Sequence, residues 1–458
     1  MNSNISKNID GYELSENQKN LWKVSGNNPN VFYSQVTLTF NTQIPCDQLQ
    51  SALLSIVQKH EVLRFKTHTP KNYIFPVQFA SEKEVIDYTE IDNTSSDFQS
   101  SLSKQLERSY NPSEDVPVRF CVIKQNTYVK EVYVRLYALW SDVFSISLFC
   151  QELSKAIHTN LEVAGVTSEE DESIAYVNYA AWQNELIENP EAEAVVFWEA
   201  YKPQIGQKID PFVNETLSQK FTPERRQIGF LKGDEYVSFK NSCKNNNVKL
   251  EDTLLYKYAS FLSVFTEDQI TIGYAQPKRA YEELNATLGL ITKTLPIKLA
   301  VPQDLDIISG IKEVRKQIKQ VENWADYFSL DRKSSESNNK KTLNYNFEYV
   351  DIKNYTKQSQ NYSGFIASDF HTIGDVFFLK VSCVDYGDSI VVDMYYDSGR
   401  YTEKEIDVLE SQLKKYVTNF NLDTATKAQL SEVENTIITS ANATKKVYSN
   451  KESILELF

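Results

Sequence analysis

Four histidines, His60, His68, His158 and His371, supply the chain's imidazoles, the side chains best suited to trade a proton near neutral pH. They are scattered, with His158 near a helix end and His68 and His371 near strands or loops, and they build no metal-ligand cluster. Five cysteines (Cys46, Cys121, Cys150, Cys243, Cys383) are odd in number, widely spaced and mostly set in apolar runs, unlike a disulfide framework or a CxxC metal site. Reduced, buried thiols in a cytosolic protein fit them best. Gly273, Gly289 and Gly310 are isolated, so there is neither a phosphate-cradling loop nor a nicotinamide fingerprint, and no bound cofactor is expected. The segment Tyr137-Ala138-Leu139-Trp140-Ser141-Asp142-Val143, with Ser145 just beyond, gathers hydroxyls and a carboxylate between a strand and a helix. At its head stands Ala138, whose methyl group can neither accept a proton nor hydrogen-bond an amine.

The elements that position this segment follow from hydrophobic periodicity. Strands at 116–122 and 132–138 alternate apolar and polar positions and are expected to pair as neighbours. After the 140–142 turn, Ile146, Phe149, Cys150, Leu153 and Ile157 mark an amphipathic helix. Upstream, Ser15 and Gln18 have capping-box spacing and open a helix carrying Leu21 and Trp22. A further helix spans about 47–60, with Asp47 as its cap and Leu49, Leu53, Ile56 and Val57 as its apolar stripe. The second half repeats the alternation: a helix over 251–266, a strand over 270–274, a helix through Ile307 to Val321, strands at 376–384 and 390–396, and a final helix capped by Thr402 and Glu405. The polar segment 329–343 reads as a loop, and the junction between two lobes falls at roughly 175–200, after an acidic run at 169–172 that reads as a solvated surface loop.

At 458 residues the chain is long enough for two cores, since single cores stop growing near about 250–300 residues. A formal net charge of −14, with no Lys/Arg cluster, argues against a nucleic-acid partner. No apolar stretch approaches the ~20 residues of a membrane span, and the polar N-terminus lacks a signal-peptide pattern, so no membrane partner is expected and a cytoplasmic location is.

Five segments, in order along nearly the whole chain, resemble the condensation domains of nonribosomal peptide synthetases. Leu14-Ser15-x-x-Gln18-x-x-Leu21-Trp22 looks like the family's opening motif, and His60-Glu61-Val62-Leu63-Arg64 looks like RHExLR. Residues 175–183 are similar to YxDYAxWQ, Gly273 through Arg279 to GxPxxxR, and 288–296 to IGxFVNTLP. The resemblance implies an α+β fold (a mixed α/β sandwich) of two chloramphenicol-acetyltransferase-like lobes in a V-shaped pseudo-dimer, with a tunnel between them. It implies an N-terminal lobe over 1–180 and a C-terminal lobe over 181–432. Residues 433–458 look like a linker and the start of an adenylation domain, as if the chain were cut from a larger protein, Met1 being either a native start or an added residue.

In this family the second His of HHxxxDG lies where an acceptor amine meets a thioester. Here Tyr137 and Ala138 replace the two histidines and Val143 the Gly, Asp142 alone survives, and Ser145 fits a serine usual downstream. The resemblance gives Asp142 a structural role, paired with Arg279, and makes it a poor proton acceptor. Tyr137 and Ser141 read as packing or wall-lining groups of the degenerate motif rather than as polar tunnel groups, and Trp140, Ser145 and Lys293 are tunnel candidates, Trp140 being either a plug of the passage or a plain core side chain and Lys293 placing a charge where the family has Asn. The implied partners are a peptidyl carrier protein delivering phosphopantetheine-bound substrates, the adenylation domain that follows, and a tailoring enzyme. The implied function is a condensation-like platform that does not form peptide bonds. The alternative is an acyl or aminoacyl transferase that works by positioning without the histidine.

Overall fold

Ser15 opens the first helix, Glu16–Ser25, through the expected reciprocal cap: its Oγ accepts from Gln18 N at 3.2 Å, and Gln18 Oε1 accepts from Ser15 N at 2.9 Å. The computed structural model describes residues 11–26, 29–83, 85–159, 174–213, 220–266, 269–276, 279, 281–301, 306–330, 342–352 and 364–417. The acidic run at 169–172, most of the loop at 329–343 and the whole of 433–458 lie outside the described residues. The next helix, Cys46–Lys59, begins one residue earlier than its pattern suggests. Pro45, not Asp47, precedes it, and Asp47 instead sits in the first turn, where its carboxylate favours the helix dipole and accepts from Gln48 N.

The two strands before the central segment pair antiparallel as expected, over Val118–Gln125 and Tyr128–Tyr137, joined by a tight turn in which Asn126 takes a left-handed φ of 58°. They belong to a five-stranded sheet ordered Phe365–Ile373, Tyr33–Phe40, Tyr128–Tyr137, Val118–Gln125, Asp87–Asp92. Helices Cys46–Lys59 and Val143–Thr159 pack on each other and contribute their stripes to a core that includes Leu49, Leu53, Ile56, Phe149 and Leu153. A second core gathers Leu254, Phe261, Ile272, Ile311, Val381 and Leu409 around a six-stranded sheet. That sheet is ordered Thr294–Leu299, Ile270–Ala275, Tyr345–Asp351, Leu379–Asp385, Ser389–Asp397, Pro223–Lys232, with parallel pairing on both sides of Tyr345–Asp351. A small sheet joins Tyr12–Glu13, Val77–Ala80 and Phe65–His68. The chain is thus α+β with two cores.

One strand crosses between the halves. Phe365–Ile373 pairs antiparallel with Tyr33–Phe40, and its Phe365, Ala367, Phe370 and Ile373 pack into the first core. Though far beyond residue 180 in sequence, this strand belongs with the first core by its hydrogen bonds and apolar side chains. Ser34 Oγ and Thr372 Oγ1, 3.0 Å apart, add a side-chain tie across the pair.

Candidate functional site

The segment after Tyr128–Tyr137 turns sharply into Val143–Thr159, and this turn carries the site. Trp140 N donates to Tyr137 O, and Gln18 of the first helix reaches across to donate its Nε2 to Leu139 O at 2.8 Å. The opening motif and the central segment, far apart in sequence, therefore brace each other. Asp142 follows on the turn and is buried.

Asp142 is saturated. Its Oδ1 accepts from Ser145 N and Ser145 Oγ, each at 2.8 Å, and from Arg279 Nη2 at 3.1 Å. Its Oδ2 accepts from Arg279 Nη1 at 2.5 Å, from Thr292 N and Thr292 Oγ1, each at 2.8 Å, and from Ile291 N at 3.1 Å. A carboxylate offers about four lone-pair sites, so none remains for a substrate. Burial alone would raise the pKa of Asp142, but the Arg279 guanidinium and the bonds from Thr292 and Ser145 outweigh it and hold the group below the usual carboxylate range.

Arg279 stands at the end of the 273–279 stretch, its guanidinium over the Phe144 ring at 4.7 Å. Ser145 Oγ also accepts from Gly289 N at 3.1 Å and lies 3.0 Å from Gly289 O, its single proton being shared between that oxygen and Asp142. Tyr176 donates to Leu290 O at 3.2 Å, Tyr179 to Ile291 O at 3.3 Å, and Ser15 Oγ lies 3.0 Å from Tyr176 Oη. The segments at 14–22, 137–145, 175–183, 273–279 and 288–296 thus meet in one knot whose centre is the Asp142 carboxylate.

Beside this knot lies a cavity of about 100 Å³ between the two cores. Ser141, Asp142, Val143, Lys293, Glu348 and Lys380 are among the residues that line it. Lys293 lines the cavity, but its ammonium is held by Asp326 at 2.8 Å and by Ala325 O at 3.1 Å. Burial lowers the Lys293 pKa, and Asp326 opposes that effect.

Trp140 and Ser145 are both buried and are not among the residues lining this cavity. Trp140 does not line the cavity: it is fully buried in the first core, edge-on to Phe65, with its indole N donating to Tyr110 Oη at 2.7 Å. Ser145 is likewise fully buried and spends its hydroxyl on Asp142 and Gly289. Tyr137 stacks flat on Tyr110, with ring centroids 3.6 Å apart, beside Arg119, away from the residues lining the cavity. Ser141 does reach the cavity wall, with its hydroxyl donating to Tyr137 O at 3.0 Å. Ala138 is buried at the end of its strand, its N donating to Phe32 O.

The model of the condensation domain family matches residues 8–440. The chain belongs to that family. Bacitracin synthase 1 of Bacillus licheniformis is 22% identical over 98% of this condensation domain, which spans only 9% of that protein's length. Among solved structures, the first condensation domain of the CDA synthetase superposes with a TM-score of 0.73 at 12% identity, covering 91% of this chain and 98% of that one. The X-domain in the complex of the X-domain and OxyB from teicoplanin biosynthesis superposes with a TM-score of 0.68 at 13% identity, covering 93% and 96%. Both likenesses establish the shared fold.

Residues of this condensation domain that sequence reasoning did not single out complete the cavity: Glu348 on Tyr345–Asp351, Lys380 on Leu379–Asp385, and Asp375 just before it. Burial pattern alone gives no warning of them, because charged residues on strands ordinarily face solvent. Among the described residues, no group of three or more His, Cys, Asp or Glu side chains could hold a metal ion, and no helix is long and apolar enough to cross a membrane.

Proposed function

We propose that this domain serves a nonribosomal peptide synthetase as a platform of condensation fold that does not join carrier-bound groups by the histidine route. One observation carries the reading. Asp142, the only ionisable survivor of the central motif, is wholly consumed in the knot around Arg279, and Ala138 brings no proton acceptor in place of the missing histidine. The groups such a platform would receive are a peptidyl carrier protein bearing its phosphopantetheine arm, the neighbouring adenylation domain, and a tailoring enzyme. The X-domain solved in complex with OxyB supports the last of these, as a protein of the same fold found bound to a second protein.

A second reading, in which the domain still transfers an acyl or aminoacyl group by positioning alone, is favoured by the cavity, which remains open beside the turn. Well-oriented reactants reach effective molarities of about 10⁵–10⁸ M without any base. A single-turnover assay with donor- and acceptor-loaded carrier proteins, followed by mass spectrometry, separates the two. The platform reading expects no condensed product from the unaltered domain, and product from it overturns that reading. Product from Ala138→His alone would show that only the catalytic group had been lost.

A further inference from the structure

The crossing strand Phe365–Ile373 is bonded on one side only, as an edge of the five-stranded sheet, and it bulges between Ser368 and His371, where Asp369 takes a left-handed φ of 51°. Arg225, on the strand Pro223–Lys232 at an edge of the other sheet, reaches this bulge. Its Nη1 lies 2.7 Å from Asp369 Oδ1 and 3.4 Å from His371 Nδ1, and its Nε lies 3.0 Å from Asp393 Oδ2 on Ser389–Asp397. One guanidinium thus ties the crossing strand to the sheet of the second core. His371 Nδ1 also lies 3.3 Å from Asp369 O, the ring meets Tyr33 edge-on at 5.5 Å, and Tyr386 Oη accepts from Phe370 N at 3.5 Å. The register of the five-stranded sheet extends the arrangement, for Asp87, Arg119, Arg135, Gln35 and His371 stand opposite one another in a row across all five strands. Arg119 pairs with Asp87, whereas Arg135 donates to Gln35 Oε1 and Leu106 O, and among the described residues no carboxylate stands within ion-pair distance of it. The His371 side chain, 9% exposed, therefore meets two guanidinium groups, Arg225 and Arg135, against the one carboxylate of Asp369.

We propose that Arg225, Asp369 and His371 form an acid-released clasp: with a neutral imidazole it fastens the crossing strand to the second sheet, and a proton on His371 frees the strand. Only an unprotonated Nδ1 can accept from Arg225, and protonation turns both ring nitrogens into donors that face a cation. Burial lowers the His371 pKa to about 4, Asp369 opposes that effect, and Arg225 and Arg135 add to it. Once the strand detaches, the ring regains water and its ordinary value of about 6.5. Above about pH 6.5 the ring is neutral in both states and the clasp is undisturbed; as the pH falls from there toward about 4, the detached state gains a proton that the clasped state refuses. Asp393 acts in the opposite sense, since burial lifts it to about 6 against the pull of Arg225, and hydrating it would favour the clasped state in acid. It stays in place when the crossing strand leaves, because Ser389–Asp397 is paired on both edges within the second sheet. Thr372, next to His371, lines the cavity and accepts from Lys380 through its carbonyl oxygen at 2.9 Å, so release of the strand loosens one side of that cavity. The device goes beyond the platform reading and does not rest on it.

Backbone hydrogen exchange of the whole domain, followed by mass spectrometry with labelling times corrected for the intrinsic pH dependence of exchange, tests the clasp. An edge strand that opens locally exchanges through that opening, whereas the middle of a sheet waits for a larger one. With about 6.5 for the detached ring and about 4 for the clasped one, the protection of Phe365–Ile373 should fall about eightfold between about pH 7 and about pH 5.5, while that of Leu379–Asp385 stays the same. His371→Gln, which keeps a polar side chain without a titrating ring, should abolish the fall, and Asp393→Asn should retain it. Unchanged protection of Phe365–Ile373 in the unaltered domain, a rise in acid, or an equal fall in Leu379–Asp385 overturns the clasp, and this comparison stands even if neither variant folds. A fall that persists in a folded His371→Gln, or one that is lost in a folded Asp393→Asn, overturns the assignment to His371.

Discussion

Replacing Arg279 with Met removes the charge that holds Asp142 while keeping most of the side chain's volume. Arg279 and Asp142 are both buried and share two hydrogen bonds, so the variant leaves a carboxylate inside the protein without its counter-ion. Breaking a buried pair from one side typically costs about 3–5 kcal/mol, and the five N–H and O–H donors from Ser145, Ile291 and Thr292 that remain place the expected loss toward the lower end of that range. The pH dependence follows from the direction of the shift. In the unaltered chain Asp142 titrates below its unfolded value of about 3.9, so its contribution is complete at neutral pH and is lost only as pH falls through the lower, folded pKa. In Arg279→Met the guanidinium no longer opposes the burial penalty, the folded pKa rises, and protonation relieves the variant. The deficit should therefore be largest near pH 7 and narrow as the pH is lowered toward about 4. Equilibrium urea unfolding of both proteins at several pH values, followed by Trp fluorescence, measures it. A loss under about 1 kcal/mol at pH 7, or a deficit that does not change with pH, would refute a structural ion pair at this position.

Gly289→Ala should cost about 1–3 kcal/mol, seen as a lowered thermal midpoint, because Gly289 has φ +151° and an added Cβ would lie 2.0 Å from Tyr176 Cδ2. Trp140→Phe should lose about 1–3 kcal/mol by leaving Tyr110 Oη without its indole donor, read as a lowered urea midpoint; an unchanged midpoint would show that this bond contributes nothing to the core. All five thiols should resist an aromatic disulfide reagent at neutral pH until urea unfolds the chain, since all are buried and burial pushes Cys150 up to about 12 and Cys121 up to about 11. Rapid reaction of a thiol in the folded protein would contradict that packing.

The elements legible in the sequence were those whose signals are local. The Ser15–Gln18 cap, the apolar stripe of Cys46–Lys59 and the alternation of Tyr128–Tyr137 are set by neighbours within a few residues, and each appears within a residue or a few of where the pattern puts it. The strand Tyr345–Asp351 was not singled out, although Tyr345-Asn346-Phe347-Glu348-Tyr349 alternates apolar and polar residues; that pattern suggests one solvated face, whereas this strand has parallel neighbours on both edges and buries Asn346 and Glu348 as well. Phe365–Ile373 was hidden for a different reason. Its register with Tyr33–Phe40 is a choice of partner more than 300 positions away, and a strand's own pattern carries no record of which sheet it joins. At the site, the resemblance pointed to Asp142 and Arg279 as a pair, whereas Asp375 and Glu348 depart from any short motif and became visible only when two strands and a loop were brought to one cavity.

Restoring the histidine is itself constrained by this packing. Ala138 is 1% exposed within the first core, at the end of a strand whose next residues turn immediately into the Trp140 and Asp142 contacts. An imidazole at this position must either displace buried neighbours or find a path to the cavity that Ser141 and Val143 already line. Overpacking a well-filled core costs about 1–3 kcal/mol, so Ala138→His should fold but unfold at lower urea than the unaltered domain. A variant as stable as its parent would mean that the imidazole emerges into the cavity without repacking, and its failure to form product would then weigh against the histidine as the only missing group. A destabilised variant without product would locate the obstacle in the core that has closed around the alanine. Fold and chemistry separate at this turn because Asp142 ties the halves together through donors that do not depend on residue 138.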